Sequence, residues 1–438
     1  MSDLAEVNTQ NNQSLNSIVA GDGGRTTNSP PDNVKIEVGP EGKVLTSGMD
    51  SLVLALDLVW RDDKFFRELS ALKERAASNE CPMPGFLKGA EGQEWLFSVE
   101  PFGKEGFEWL LRSPEYAIKL GKWLRPRSRP SAMIEIRSEA LWLNGAVEAV
   151  DRILSLLNGA GATVDKAKAS RVDVCLDILV PKELWNINLV NQRVTRAYEY
   201  ASHGRKENFS GFTVGKGDIL ARLYNKDLEI RLKSKKTWMY DIWQLPQVPE
   251  EYRAIRIEFQ IRREALVELG IDTIWQFANY PRNLWSYCTQ CWLKFQDHPE
   301  LHHTQQTTLP FWSTVQNGFL GSQPAHPLIR AKMVNVKRVQ LAQQFLGQFT
   351  SLIAIDSEEL EPQVSLEDKT PLLKESAVLI GMDDQKLSER VRRKLAKYVH
   401  EIQKFKDAEA RRKTLNLPQK STHVKECSKQ ILERPRHD

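Results

Sequence analysis

Strict alternation of polar and apolar residues is the clearest pattern in this chain, and it runs over residues 171–178. Every second residue from Val172 to Ile178 is apolar. The positions between them hold Arg171, Asp173, Cys175 and Asp177. Successive side chains of a strand point to opposite faces. The segment therefore predicts a strand that buries one face and presents carboxylates on the other.

Four other segments carry the same two-residue period. Residues 51–60 alternate leucines with other residues, and residues 132–137 place Glu135 between two isoleucines. Residues 219–226 and 255–262 complete the set. Their polar positions are Arg222, Tyr224 and Lys226 in the first, and Arg256, Glu258, Gln260 and Arg262 in the second. Together the segments predict five strands whose acids, cations and one tyrosine gather on one surface of a sheet.

Helical periodicity lies between these strands. It predicts helices over residues 62–77, 146–158 and 184–202, and Gly159 is placed to end the second of them. The fold class we predict is α+β. It has a central, largely antiparallel five-stranded sheet with helices packed on one face, and a helical C-terminal region. The other face of the sheet is expected to be open and polar.

Composition divides the chain into three parts. Residues 1–47 are rich in Asn, Gln, Ser and Gly without periodicity, which predicts a disordered leader. Residues 48–324 hold the predicted sheet. Residues 325–438 form a helical, basic C-terminal region, with helices over 328–349 and 385–414 on either side of an acidic loop at 358–368.

Charge and cysteine content indicate the binding partners and the cellular compartment. The net charge is only +4, but residues 391–438 hold 14 Lys/Arg against 6 Asp/Glu, an excess of +8, so the remainder sums to −4. A basic tail favours contact with nucleic acid, although a solvated helix has the same composition. The five cysteines are scattered, and residues 1–30 lack the apolar core of a signal peptide. We expect a cytoplasmic protein with no membrane contact.

Tyr224 is the candidate nucleophile. A free phenol has a pKa of about 10 and reacts poorly at neutral pH. A nearby divalent cation and Lys226 would make its ionised form more accessible, so that it could attack a phosphodiester and form a phosphotyrosine link. Arg222 and Lys226, each roughly 7 Å away along the strand, would hold the phosphate. The alternative is a tyrosine packed at a sheet edge between two solvated cations.

The carboxylates on the same face suggest a metal site, because Mg²⁺ and Mn²⁺ prefer oxygen ligands. Asp173, Glu258 and Glu135 are the candidate ligands, each in the middle of a predicted strand. Asp177 is about 13 Å from Asp173 along one strand, too far to share an ion. We therefore expect Asp177 and Arg256 to orient the side chains of the site without binding the ion themselves. Any of these acids could instead be a salt-bridge partner.

These segments, taken in order, resemble the rolling-circle replication initiation factors of plasmids and filamentous-type phages. The matching pieces are residues 50–60, 134–142, 170–177, 222–229 and 256–263, within roughly residues 48–300. The Ser-Arg-x-Asp element that ends at Asp173 and the Arg-x-Tyr-x-Lys element of residues 222–226 are specific only in combination. The paired-histidine metal motif of other rolling-circle nucleases is missing from that family, and this chain lacks it too.

The resemblance implies a bacterial DNA nicking-closing enzyme. In that role Tyr224 would attach to the 5′ phosphate at the origin nick and leave a 3′ hydroxyl that primes synthesis. Asp173 and Glu258, with Glu135, would hold Mg²⁺ or Mn²⁺. The regions outside the match are expected to bind origin DNA, a helicase or a second copy of the chain.

Two alternatives stay open at this point. One is a relaxase of a conjugative or integrative element, which would use the same chemistry. The other is a non-catalytic DNA-binding regulator of the same fold. For each of them, DNA phosphates are expected to contact the basic tail and the cations of one turn. Those cations are Arg231, Lys233, Lys235 and Lys236.

Overall fold

The computed structural model describes most of the chain, in two compact units, Met1–Ile329 and Arg330–Asp438. The described residues are 37–89, 92, 94–205, 208–300, 302, 305–321, 325–331, 338–355, 370–380 and 382–419. The predicted acidic loop at 358–368 and most of the predicted leader lie outside them. Residues 43–47, which we assigned to the leader, instead begin the first strand.

The first unit is built on one antiparallel sheet of eleven strands. The strands of the structure are β1 Lys43–Trp60, β2 Met83–Lys88, β3 Glu94–Val99, β4 Trp109–Arg112, β5 Tyr116–Leu120, β6 Ala132–Ile136, β7 Ala162–Pro181, β8 Arg193–Thr195, β9 Tyr200–Arg205, β10 Asn208–Val214, β11 Ile219–Asn225, β12 Tyr252–Arg262, β13 Leu293–Asp297 and β14 Thr307–Thr308. The sheet order is β2-β3-β4-β5-β6-β1-β7-β12-β11-β10-β9, and β14-β13-β8 form a second, three-stranded sheet.

Twelve α-helices are present among the described residues. They are α1 Lys64–Ser78, α2 Ser138–Leu143, α3 Ala146–Gly159, α4 Lys226–Glu229, α5 Trp238–Trp243, α6 Arg263–Glu268, α7 Ile274–Asn279, α8 Pro281–Ser286, α9 Pro310–Asn317, α10 Arg338–Ile355, α11 Thr370–Leu379 and α12 Asp384–Thr414. Two 3₁₀ turns, Lys182–Leu184 and Ile187–Gln192, and two π-helical turns, Ile230–Ser234 and Tyr287–Trp292, complete the secondary structure.

The α+β class is confirmed, but the sheet is larger than the five strands we predicted. Strands β2 to β5 are short hairpin strands of four to six residues, and we overlooked their alternation. The predicted helix over residues 184–202 was wrong, because this segment forms 3₁₀ turns and then β8 and β9. Its asparagines explain the difference, since the Asn186 side chain accepts a hydrogen bond from the Asn188 backbone and closes a local turn.

The apolar face of the sheet forms the core. The long strands β1 and β7 pair along almost their whole length and bring Leu52 opposite Val172. Leu52 also pairs with Ile136 of β6, and all three side chains are fully buried. Helix α3 covers this face with a stripe that includes Ile153 and Leu157. Hydrophobic burial on this scale holds the long strands in one register, because a shift by one residue would expose the apolar set.

The polar face is not open along its whole length, contrary to our prediction. The ring of Trp142 on α2 lies 5.6 Å from the Arg256 guanidinium. From α5, the Trp243 indole nitrogen donates a hydrogen bond to Asp177 on β7. The alternation also turns apolar beyond Asp177, where a buried cluster joins the strands to α5. Its buried members are Leu179, Ile230, Met239, Trp243 and Ala254. Helices therefore lie on both faces at this end of the sheet.

The second unit consists of helices among its described residues. The longest is α12, a helix of 31 residues that starts at the Asp383 cap, whose side chain accepts a hydrogen bond from the Lys386 backbone. No helix of the described ranges has both the length and the apolar run needed to cross a membrane.

Truncation of a core leucine is expected to destabilise the first unit. Leu54 on β1 is fully buried, so Leu54→Ala should lower the free energy of unfolding by about 2–5 kcal/mol through lost contacts and a cavity. Leu96→Ala is the matched control, because Leu96 lies on a strand of the same sheet and is 57% exposed. Urea unfolding of both variants measures the difference. Equal effects would contradict this placement of the core.

Candidate active site

Strand register gathers the polar side chains of four neighbouring strands on one face. Arg222 of β11 lies opposite Glu258 of β12, and Tyr224 lies opposite Arg256. On the far side of β12, Arg256 pairs with Asp177 of β7. The alternation in the sequence anticipates this common face, but only the register shows which side chains become neighbours.

The phenol of Tyr224 is held by a carboxylate. Tyr224 is half-buried, and its hydroxyl donates a hydrogen bond of 3.2 Å to Oε2 of Glu258. The other oxygen of Glu258 accepts a 2.6 Å bond from Arg222. The same guanidinium donates to the side-chain oxygen of Gln260 at 2.8 Å. Glu258 is therefore fixed between a cation and the candidate nucleophile.

A glycine lies against Tyr224 on the neighbouring strand. Gly211 lies opposite Tyr224 on β10 and has a φ of 154°. A Cβ atom at this position would lie only 2.8 Å from the Cα atom of Tyr224, which a side chain could not tolerate. The glycine therefore allows the backbone of β10 to pair closely with β11 at Tyr224.

Burial acts on both members of the Tyr224–Glu258 pair in the same direction. Burial, and then the negative charge of Glu258, raise the pKa of Tyr224 well above its ordinary value of 10.0. Burial, and then the charges of Asp50 and Asp173, raise the pKa of Glu258 above 4.5. The phenol is thus neutral in the free protein. Glu258 in turn is a stronger proton acceptor than a solvated carboxylate.

A buried arginine lies next to this pair. The Arg256 side chain is fully buried and forms two bonds of 2.7 Å to the two oxygens of Asp177. Its remaining amino group donates a 2.5 Å bond to Asp50. The Trp243 indole donates a 2.8 Å bond to Asp177. Asp177 and Arg256 thus form a buried ion pair across β7 and β12, beside Tyr224 in the register.

Sequence analysis missed Asp50. Its even number groups it with the buried leucines of β1, so strict alternation would place it on the apolar face. A register shift between Met49 and Ser51 breaks the alternation at this residue. Asp50 contacts Arg256 and accepts a 3.2 Å bond from Ser138. Burial would raise the pKa of Asp50, but the charges of Arg256, Lys226 and Lys236 outweigh it, and the pKa is lowered.

Lys226 does not continue β11 as predicted. The strand ends at Asn225, whose side chain accepts a hydrogen bond from the Leu228 backbone and caps α4. Lys226 is consequently the first residue of a helix and is buried. Its ammonium bonds to Glu229 at 2.7 Å and lies 5.7 Å from the centre of the Tyr224 ring. The predicted proximity to Tyr224 holds, although the geometry is different.

The four cations of the predicted DNA-binding turn separate into two groups. The side chains of Arg231, Lys233 and Lys235 are exposed, and Arg231 pairs with Asp227. Lys236 is half-buried, and burial, together with the neighbouring charges of Lys226 and Arg256, lowers its pKa. Lys236 therefore belongs to the candidate active site rather than to the outer surface.

The three predicted metal ligands do not converge. Asp173 pairs with Gln260, so Asp173 and Glu258 are diagonal neighbours, about 7–8 Å apart at the backbone. Glu135 lies three strands away on β6, level with Arg171 of β7. Its backbone is roughly 20 Å from that of Glu258, because it lies three strands across the sheet, at about 4.8 Å each, and four residues along the strands, at about 3.3 Å each. Glu135 cannot share an ion with Glu258.

The carboxylates near Tyr224 are already engaged by arginines. Arg171 binds both oxygens of Asp173, and Arg222 binds Glu258. The third acid that interacts electrostatically with Asp173 and Glu258 is Asp50 rather than Glu135. Among the described residues, no three His, Cys, Asp or Glu side chains stand together as a metal-binding group. The arrangement as it stands does not fit the ion that the resemblance implies, and the ion stays a prediction.

Comparison of this sequence with protein-family models gives no match, and comparison with curated proteins gives none either.

The raised pKa of Glu258 predicts a pH effect on stability. Folding favours the protonated form, so the stability contribution of Glu258 is highest below the ordinary pKa of 4.5 and declines as pH rises through the folded value. Glu258→Gln lacks an ionisable group and should lack this decline. The unfolding free energy of the variant should therefore rise relative to wild type as the pH increases above 4.5, by about 1.4 kcal/mol for each unit by which folding raises the pKa of Glu258.

Urea titrations at several pH values measure this difference. Glu68→Gln on α1 is the matched control, because Glu68 is exposed. A gap between Glu258→Gln and wild type that stays constant with pH, or that moves in the opposite direction, would contradict the raised pKa.

Proposed function

We propose that this protein is a rolling-circle replication initiator that binds origin DNA and nicks one strand through Tyr224. The observation that carries the proposal is the hydrogen bond from the Tyr224 hydroxyl to Glu258, on a sheet face lined with cations. The resemblance of residues 48–300 to the initiation factors supports the same conclusion. A tyrosine that only packed at a sheet edge would not need a carboxylate aligned on its hydroxyl.

The chemistry is a transesterification. Oη of Tyr224 attacks the phosphorus of the scissile phosphodiester, and the bond from phosphorus to the 3′ oxygen breaks. The phenol proton passes to Glu258, whose raised pKa suits it to act as the general base. The departing 3′ oxygen takes a proton from solvent and becomes the primer hydroxyl. The 5′ phosphate stays on Tyr224 until the 3′ hydroxyl of a DNA strand attacks it and reverses the reaction.

Positive charge beside Tyr224 would hold the phosphate. Arg222 is about one-third exposed and is already aligned by Glu258 and Gln260. Lys226 and Lys236 lie on the connection that follows β11, and each is close enough to Asp50 to lower its pKa. Cations fixed in a partly desolvated site stabilise the charge that develops on phosphate oxygens.

A relaxase would use the same residues and differ only in its biological setting. A non-catalytic regulator of the same fold would retain DNA binding without cleavage. The alignment of Tyr224 with Glu258 favours an enzyme over the regulator. The resemblance implies a requirement for Mg²⁺ or Mn²⁺, which the arginine-paired carboxylates near Tyr224 do not themselves support, and nicking in the presence and absence of a chelator tests that requirement directly.

Replacement of the nucleophile should abolish the covalent intermediate. Wild type and supercoiled origin DNA with Mn²⁺ should give relaxed circles and a protein–DNA adduct that survives denaturation. Tyr224→Phe should give neither, because only the attacking oxygen is removed. Tyr240→Phe is the matched control, since the Tyr240 hydroxyl bonds to Asp227 instead. An adduct formed by Tyr224→Phe would contradict the assignment of Tyr224 as the nucleophile. DNA binding by wild type without nicking would support the non-catalytic regulator.

Removal of the general base should slow the reaction without weakening binding. Glu258→Gln retains the size and one oxygen of the side chain but cannot take the phenol proton. We expect adduct formation to slow by roughly 10²–10⁴-fold, with an unchanged dissociation constant for origin DNA. Single-turnover gel assays and fluorescence anisotropy provide the two measurements. A variant that nicks at the wild-type rate would remove Glu258 from the mechanism.

A further inference from the structure

A second concave site lies away from Tyr224, beside the connection between β7 and β8. It is a cavity of about 500 Å³, within the range of small-ligand sites. Its apolar lining includes Leu184, Leu189 and Phe311. Its polar lining includes the amides of Asn188, Asn191 and Gln192. No charged residue lines it within the described part of the chain, so it suits an uncharged group.

The local turn explains why these amides are available. Asn186 stabilises the 3₁₀ turn Ile187–Gln192, because its side chain accepts from the Asn188 backbone at 2.9 Å and donates to the Glu183 carbonyl at 2.8 Å. The side-chain amides of Asn188, Asn191 and Gln192 make no hydrogen bond to any described residue. Each can offer both a donor and an acceptor to a ligand.

A planar group with apolar faces and a polar edge matches this lining. Nucleobases have that shape, and the amides of Asn and Gln pair with the donor and acceptor edge of adenine. A stretch of peptide would also hydrogen-bond to amides, but it has no flat apolar face to lie on the accessible side chains of Leu184 and Pro310. The lining therefore favours a base.

The residues that follow the turn favour a nucleic acid. Arg193 lies with its guanidinium 3.6 Å from the centre of the Tyr200 ring. Tyr200 is about half exposed, and Tyr198 is fully exposed. Exposed aromatic rings beside a cation are typical of surfaces that bind single-stranded DNA, where bases stack and phosphates meet positive charge.

We infer that this cavity binds an unpaired base, preferably adenine, of single-stranded DNA. The inference rests on the proposed function for its ligand, but it concerns a site that Tyr224 does not share. Displacement of the nicked strand exposes single-stranded DNA, and a base held here would keep the protein on that strand. The amides select the base edge, while Arg193 and Tyr200 hold the neighbouring nucleotide.

Fluorescence anisotropy tests the inference with three labelled 12-nucleotide probes: all-adenine, all-thymine and all-abasic strands. Wild type should bind the adenine strand most tightly and the abasic strand least. The double variant Asn188→Leu/Gln192→Leu should lose roughly tenfold or more in affinity for the adenine strand and keep its affinity for the abasic strand. Asn158→Leu, an exposed amide on α3, is the matched control and should bind like wild type.

Equal wild-type binding of all three strands, or an unchanged affinity of the double variant, would overturn the inference. A variant that unfolds is recognised by loss of abasic-strand binding, and the single variant Asn191→Leu then replaces it. Tyr224→Phe should keep the adenine preference. The two proposals can therefore fail separately. If wild type does not nick DNA but prefers the adenine strand, only the proposed function fails. If wild type nicks DNA but shows no base preference, only the base-binding site fails.

Discussion

The buried guanidinium of Arg256 is the interaction on which the rest of this site depends. A charge without water needs partners, and removing one partner of such a pair typically costs about 3–5 kcal/mol. Here Asp177 of β7 and Asp50 of β1 supply them. This side chain thereby links three neighbouring strands whose register also depends on the buried apolar face. Tyr224 lies directly opposite Arg256, so its position follows from that register.

The same charges determine how the site can react. Arg256 and the two lysines lower the pKa of Asp50, and burial, followed by the charges of Asp50 and Asp173, raises the pKa of Glu258. Burial and Glu258 keep Tyr224 protonated until a substrate arrives. A bound phosphate would meet Arg222, Lys226 and Lys236 in place of water. The chemistry then needs a proton acceptor at the phenol, and the structure supplies Glu258 at hydrogen-bond distance.

Much of this arrangement could be predicted from the sequence, because the two-residue period of β7, β11 and β12 identifies both faces of each strand. The two-residue period cannot predict where a strand shifts register or ends. Asp50 turns toward Arg256 only because β1 shifts register at that point. Lys226 leaves its strand because Asn225 caps a helix, and Glu135 lies on the correct face but three strands too far away. The misses at Asp50 and Glu135 are neighbour relations between segments distant in sequence, whereas the miss at Lys226 is a local capping interaction.

Peptide mapping of the covalent complex tests the central claim most directly. The protein is allowed to react with supercoiled DNA of the element that carries its gene, then digested with nuclease and trypsin, and the peptides are analysed by mass spectrometry. A nucleotide joined through its 5′ phosphate to the peptide that contains Tyr224 is expected. A nucleotide on another residue, or cleaved DNA with no nucleotide on the protein, would contradict it.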